Sequence, residues 1–262
     1  MNNTFSLSRF VLLFRQSWLH NTRLIWLAIT GYCGLLLLLL LLFQASQNFE
    51  LRSVEPYQAL FVVIFIAGGV ICAGSSFTAF RSKEKTYAYL MVPASPAEKF
   101  AVELILRVVL FVVLVPILFY LIYLIEGSLV KALAEGYDLK ASELFEFPSL
   151  PVHPAGMKGT WLTLFISLLS SIFIIPFTGS VAFAKSPLIK TLFTLAILII
   201  INGLLIYFFA EIANFKNYEP AEKGLLFIDS PESALTAVTW FVVLMDAGLL
   251  AGAYFKLKEK EA

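Results

Sequence analysis

The sequence predicts an all-α integral membrane protein, and three observations carry that class. Of 262 residues, 60% are hydrophobic and mean hydropathy is +0.86, whereas soluble domains are about 45–50% apolar. Only 14% are charged, against about 25% in ordinary domains, too few to cover a soluble fold. Six apolar stretches also reach the length of roughly 20 residues that a helix needs to cross the hydrocarbon of a bilayer.

The elements follow in chain order. Residues 5–20, FSLSRFVLLFRQSWLH, can place Phe10, Leu13, Phe14 and Trp18 on one face, with Arg15 and the serines and glutamine around them. This pattern reads as an N-terminal amphipathic helix lying in the membrane interface. Asn21 and Arg23 interrupt the apolar pattern before the first span; the alternative is a bent extension of that span. The six transmembrane helices are expected at about 24–43, 57–80, 101–125, 161–184, 187–210 and 233–255, as one domain over residues 1–262. The first contains eight consecutive leucines, Leu35 to Leu42, and 23 residues precede it. Its apolar core exceeds the 7–15 residues of a signal h-region, so it reads as an uncleaved span. Pro116 and Pro176 fall inside spans three and four, where kinks are expected and tolerated.

Ser-Pro pairs at 95–96, 186–187 and 230–231 precede spans three, five and six. Serine caps the free N–H groups of a helix start and proline suits the first helical position. At the first pair, Ser95, Pro96 and Glu98 form an S-x-x-E capping box. The third helix is therefore expected to begin near Pro96, before its apolar part, with Lys99, Glu103 and Arg107 along one face at i, i+4 and i+8.

Thirteen of the 19 basic residues fall in the N-tail, the second and fourth loops and the C-tail, and six on the other side, which holds 12 of the 18 acids. The excess of Lys and Arg places both termini in the cytoplasm. The outer loops, 126–160 and 211–234, carry net charges of −2 and −3. The second contains the apolar tetrad 225–228, which either dips into the interface, packs on the helices or forms a simple turn.

Several function classes drop out. Nineteen basic against 18 acidic residues argues against nucleic acid as a partner. Cys33 and Cys72 lie in apolar runs and read as small hydrophobes. His20 and His153 lie far apart and form no ligand pattern, so no metal or other cofactor is expected. The sequence contains no phosphate loop, G-x-G-x-x-G, H-E-x-x-H or G-x-S-x-G motif. Catalysis by this chain alone is not expected.

Asp246 is the ionisable residue the span map places inside lipid, roughly 15 Å inward from Lys256 at 1.5 Å per residue. Such acids default to a functional hypothesis. The alternative is structural, a hydrogen bond to Asn202 of span five or to a serine of span four. In span two, Gly69, Ala73 and Ser76 form a small-residue stripe that lets helices approach closely, within the subunit or across a dimer.

One stretch is out of place. FRSKEKTYAYLMVPASPAEKF, residues 80–100, sets Lys83 and Lys85 beside Tyr87, Tyr89, Leu90 and Met91 between two apolar runs. One reading is a loop whose cations set topology and whose tyrosines lie in the interface; the other is a docking segment with apolar anchors. YLMVPASPAEKF, residues 89–100, resembles the Leu-Pro-Ala-Ser and Glu-Lys-Phe pattern of ABC-2-type permeases of Bacteroidetes-like bacteria. The order of parts, a basic amphipathic N-tail, six spans and this loop second, is similar too.

The resemblance implies a multi-pass protein of the bacterial inner membrane, the permease subunit of an ATP-driven exporter. A separate cytosolic ABC ATPase would supply hydrolysis, and a second permease copy or paralogue would complete the pore. It also implies a short coupling helix within 82–94 that docks on the ATPase, with 95–100 restarting the helix and the N-tail as the connecting helix. The outer loop 126–160 is larger than that family leads one to expect. A non-transporting membrane assembly factor or sensor with a cytosolic partner remains the alternative. A secondary transporter would be expected to show inverted halves or broken helices with midplane polar groups.

Overall fold

The computed structural model of the chain describes residues 5–46, 54–133, 144, 158–183, 185–212 and 231–261; at a few helix positions near 133, 158–161, 198–212 and 231–235 only the backbone is described. Among the described residues the regular structure is entirely helical. Helix α1 is Leu7–Ser46, α2 Glu55–Gly74, α3 Lys83–Leu90 and α4 Pro96–Leu104. A π-helical stretch, Ile105–Val109, joins α4 to α5, Leu110–Leu133. Helices α6, α7 and α8 are Lys158–Ala182, Pro187–Ile212 and Pro231–Glu261. Five helices are long and apolar enough to cross a membrane: Leu7–Ser46, Glu55–Gly74, Pro96–Ala132, Leu162–Ala182 and Thr236–Lys260. In α7 the corresponding apolar stretch with described side chains is Pro187–Ile197.

The chain divides into two units, Met1–Cys72 with Pro93–Leu150, and Ala73–Val92 with Pro151–Ala262. In the first unit α1 and the α4–α5 helix run parallel. Ser6 and Arg9 meet Glu98 at their starts, and Leu36 and Leu40 join Phe119 and Tyr123 in one core further along. Helix α2 runs antiparallel to α5. Tyr57 packs against Tyr123, Phe61 against Phe119 and Phe65 against Phe111, with ring centroids 5.1, 5.0 and 5.7 Å apart. The steps are one turn each along α2, and one and then two turns along the partner helix, so an aromatic ladder fixes their register.

In the second unit α6 and α8 run parallel. Ser170 and Ser171 meet Asp246, and Val181 meets Lys260. Helix α7 returns along α6, with Thr191 against Gly179.

Three expectations need correction. The amphipathic segment at 5–20 is not a separate interfacial helix: α1 runs unbroken for 40 residues. No proline interrupts it, and the polar residues at the expected break fold back on their own helix. Asn21 donates to the Ser17 carbonyl at 2.8 Å and Thr22 to that of Trp18 at 2.7 Å. The face itself is as read, since Phe10, Phe14 and Trp18 form a continuous ring ladder. At 1.5 Å per residue α1 is about 60 Å long, roughly twice the thickness of a hydrocarbon core.

The second span ends at Gly74, not at 80. Gly74, Ser75 and Ser76 are poor helix formers, and Phe77 takes φ 50°, a left-handed conformation that turns the chain into a 3-10 helix at Thr78–Arg81. Of the row Lys99, Glu103 and Arg107, the first residue, Lys99, is the most enclosed. It is buried, while Arg107 Nε lies 3.8 Å from a Glu103 carboxylate oxygen. Ser186 takes φ 49°, not the extended conformation typical of a capping serine. The helix starting at Ser230-Pro231 has its serine outside the described residues, as are most of the outer loops 126–160 and 211–234, the tetrad 225–228 and His153. Pro116 and Pro176 lie inside uninterrupted helices.

Gly179 is the residue whose small size the packing most needs, since a Cβ there would overlap the Thr191 side chain. Gly31 and Gly34 of α1 face open space. Gly179→Ala should therefore destabilise the chain by about 1–3 kcal/mol through overpacking. The same change at Gly31 or Gly34 should be neutral or stabilising by up to about 1 kcal/mol. Thermal unfolding in detergent, followed by helicity, checks the contrast.

Candidate functional site

Residues 75–92 form a compact polar and aromatic segment between α2 and α4. Its root is the turn at Phe77. This ring packs against Phe177 of α6, centroid to centroid 5.5 Å, and stacks with Phe80 at 6.0 Å. A bulky residue in the left-handed region costs on the order of 1–3 kcal/mol, which burial of the ring offsets. Phe80 is held on two sides. Tyr89 of α3 meets it edge-on at 5.5 Å, and the Lys260 ammonium of α8 sits 4.3 Å from its centroid. Lys260 also donates to the Val181 carbonyl at 2.6 Å. That carbonyl lies in the last turn of α6, where helix carbonyls lack internal donors and cations are favoured. Arg81 does the same for α2, reaching the Gly74 carbonyl at 3.4 Å.

Helix α3 therefore presents two different sides. Lys83, Lys85, Tyr87 and Met91 are exposed, Tyr87 at 65% and Met91 at 80%. Lys83, Tyr87 and Met91 recur at i, i+4 and i+8, in one stripe. Tyr89 and Leu90 are partly buried, and Tyr89 is committed to Phe80. The six residues singled out at 83–91 thus do not form one surface: four face outward and two support the helix from within.

The capping box at the start of α4 is present. Glu98 N–H donates to Ser95 Oγ at 3.3 Å, and Ser95 N–H to Glu98 Oε2 at 2.9 Å, with Pro96 in the first turn. The sequence did not disclose a second role for Glu98. Its Oε1 accepts from the Ser6 N–H at 2.7 Å and lies 3.1 Å from the Arg9 guanidinium. One fully buried carboxylate closes the starts of two helices, where negative charge is favoured.

Asp246, 6% exposed, accepts from both Ser170 and Ser171 of α6, at 2.7 and 2.8 Å. Each serine hydroxyl has one proton and also lies within reach of the Ser167 carbonyl. With an ionised carboxylate both protons go to Asp246. This is the interhelical bond anticipated to a serine of span four; the Asn202 side chain lies outside the described residues. Gly69, Ala73 and Ser76 are all buried within the chain.

One residue escaped the sequence reading. Helix α5 runs to Leu133, past the expected end of span three, and carries Glu126 onto the face of Phe119, Tyr123 and Val130. Glu126 is fully buried, and neither carboxylate oxygen has a hydrogen-bond partner among the described residues. Its position seven residues after Phe119 and three after Tyr123 was the available signal.

Comparison with protein-family models, curated proteins and solved structures finds no match.

Two sets of substitutions separate anchoring from chemistry. Ser95→Ala should cost about 1 kcal/mol, the usual loss of a cap. Glu98→Ala should cost more, about 2–3 kcal/mol, because it removes the charged acceptor of the Ser6 and Ser95 N–H groups; detergent melting curves should rank them in that order. Asp246→Asn should melt close to wild type: its amide can donate to Ser170, freeing that hydroxyl for Ser167, while its oxygen accepts from Ser171. Asp246→Leu loses both bonds and should cost about 1–2 kcal/mol. Equal melting of the Asn and Leu variants would show that these bonds do not hold α6 to α8.

Proposed function

We propose that the chain is the membrane-spanning permease subunit of an ATP-driven exporter, with hydrolysis supplied by a separate cytosolic ATPase. The observation that carries this reading is α3, an eight-residue helix in the second loop whose Lys83, Lys85, Tyr87 and Met91 are exposed while its other side is fastened to Phe80. A solvated linker needs no such mount, and an exposed Tyr and Met between two lysines is the composition of a protein-binding surface. On this reading Tyr87 and Met91 enter a groove of the ATPase, and the lysines at the rim steer association.

The remaining parts of the proposal follow from the layout. Helix α7 is the fifth of six spans, completing the even number that returns both termini to the cytoplasm, in accord with the excess of basic residues there. Parallel courses of α1 with α4–α5, and of α6 with α8, are what an alternating six-span path requires within each unit. The absence of a phosphate-loop motif fits a subunit whose ATPase is a separate chain. A second copy or a paralogue would complete the translocation path in the bacterial inner membrane.

The test is co-purification in mild detergent. The wild-type chain should retain a partner that hydrolyses ATP. Tyr87→Ala with Met91→Ala should release it, or lower its coupled turnover at least about tenfold, a loss of roughly 1.4 kcal/mol or more of binding, with the melting temperature unchanged because both side chains are exposed. Lys83→Ala with Lys85→Ala should weaken association mildly and in a salt-dependent way. Retention of the ATPase and full turnover by the Tyr87, Met91 variant would leave α3 as a connector. Release of a partner without ATPase activity would favour a non-transporting assembly or sensor protein.

A further inference from the structure

We propose that the first unit holds a binding groove for one acyl chain of an anionic phospholipid, with Arg107 taking the phosphate. This does not depend on the exporter reading, because every residue involved lies in α1, α2 and the α4–α5 helix.

The groove has a volume of about 480 Å³ and is formed between α1, the end of α2 and the first turns of α5. That size lies within the range of roughly 300–1,000 Å³ for small-ligand sites, and so suits one lipid chain and not a whole two-chain lipid. Its two ends differ. One carries Trp18, Asn21 and Arg107. The other is mainly aliphatic, with Ile29, Leu114 and Leu118 among its walls and the Tyr32 ring beside them. From Arg107 to Leu118 is eleven residues, roughly 16 Å along the helix. An apolar slot with one cation at its mouth matches an amphiphile with an anionic head. An apolar ligand would leave the guanidinium with only its long contact to Glu103, and a free inorganic anion would leave the slot unfilled.

Arg107 is available for this role. Its ion pair with Glu103 is 3.8 Å long, beyond hydrogen-bond range. A guanidinium has five N–H donors and matches a phosphate bidentately. It sits at the centre of the π-helical stretch Ile105–Val109, an insertion into the α-helical ladder of a kind that recurs at functional positions. Asn21 has spent one amide N–H on the Ser17 carbonyl, and its carbonyl oxygen does not compete for an anion. Trp18 is the residue type that sits at headgroup level. Cationic pockets between transmembrane helices are established sites for anionic lipid headgroups.

Native mass spectrometry of the purified chain in neutral detergent tests this, with dioleoylphosphatidylglycerol and dioleoylphosphatidylcholine as probes. The wild type should bind the glycerol lipid about tenfold more tightly, a difference of roughly 1.4 kcal/mol. Arg107→Gln should abolish the preference, and Arg107→Lys, which keeps the charge, should retain part of it. Ala28→Phe, on the groove wall, should reduce binding of both lipids. Helicity and melting temperature confirm that each variant is folded; should Arg107→Gln fail to fold, the Lys variant and Ala28→Phe decide. No preference in the wild type, or an undiminished preference in Arg107→Gln or in Ala28→Phe, overturns the proposal. So does a lipid-free dimer that Ala28→Phe dissociates, since the groove would then be filled by a second copy.

Discussion

The Glu98 carboxylate is the interaction on which the first unit is built. A helix start leaves four N–H groups without internal partners, and here two long helices begin side by side. Glu98 accepts from one N–H of each, Ser6 and Ser95, and pairs with Arg9. Because the carboxylate is fully buried, its charge tolerates little displacement, so the two starts are held at one level. From that point α1 and the α4–α5 helix run parallel, and the Tyr57–Tyr123 and Phe61–Phe119 pairs bring α2 back between the same levels.

The second unit applies the same chemistry between α6 and α8 with hydroxyl donors. Between apolar helices in lipid there is little hydrophobic gain in association, so interhelical hydrogen bonds and close packing do the positioning. Asp246 binds two adjacent serines of α6, and Gly179 admits Thr191 of α7. One bond pair fixes the rotation of α8 on α6; one missing side chain sets the distance of α7. Glu126 in the first unit differs: it is a buried carboxyl with no hydrogen-bond partner among the described residues, and burying such a group costs free energy that the packing around it has to offset.

What the sequence disclosed and what it did not divide along physical lines. Apolar runs of about 20 residues identify helices because a lipid-exposed backbone has almost no other way to satisfy its polar groups. The Ser95 box was legible because capping is local, within four residues. The bond from Asp246 to a serine of α6 was legible as a class, because a buried carboxyl needs donors and α6 is rich in serine. Long-range facts were not. Nothing local to Glu98 reports Ser6 and Arg9, some 90 positions away. Asn21 and Arg23 looked like a helix break because the bond from Asn21 to Ser17 exists only once the helix has formed. Glu126 was hidden by its charge, which ended the apolar run about two turns before the helix ended. Of the docking candidates, the sequence could name Tyr87, Tyr89, Leu90 and Met91 but not sort them, because an eight-residue helix with one supported side requires Phe80 to be in place.

How α3 is mounted bears on the proposed mechanism. A coupling element must be stiff toward the part it drives and open toward the part that drives it. The stiff side is a short chain of contacts: Tyr89 on Phe80, Phe80 on Phe77 and Lys260, Phe77 on Phe177, and Lys260 on the last turn of α6. The ring links have few rotatable bonds to absorb displacement, and Phe77 is held in the left-handed region. The open side is Tyr87 and Met91. On the proposed mechanism a push on the exposed side would reach the ends of α6 and α8 through these packed rings. That division of labour follows from which side chains are buried, and it makes Lys260, sixteen residues from the nearest expected apolar midpoint and unremarked by any motif, the residue through which α8 is joined to α3.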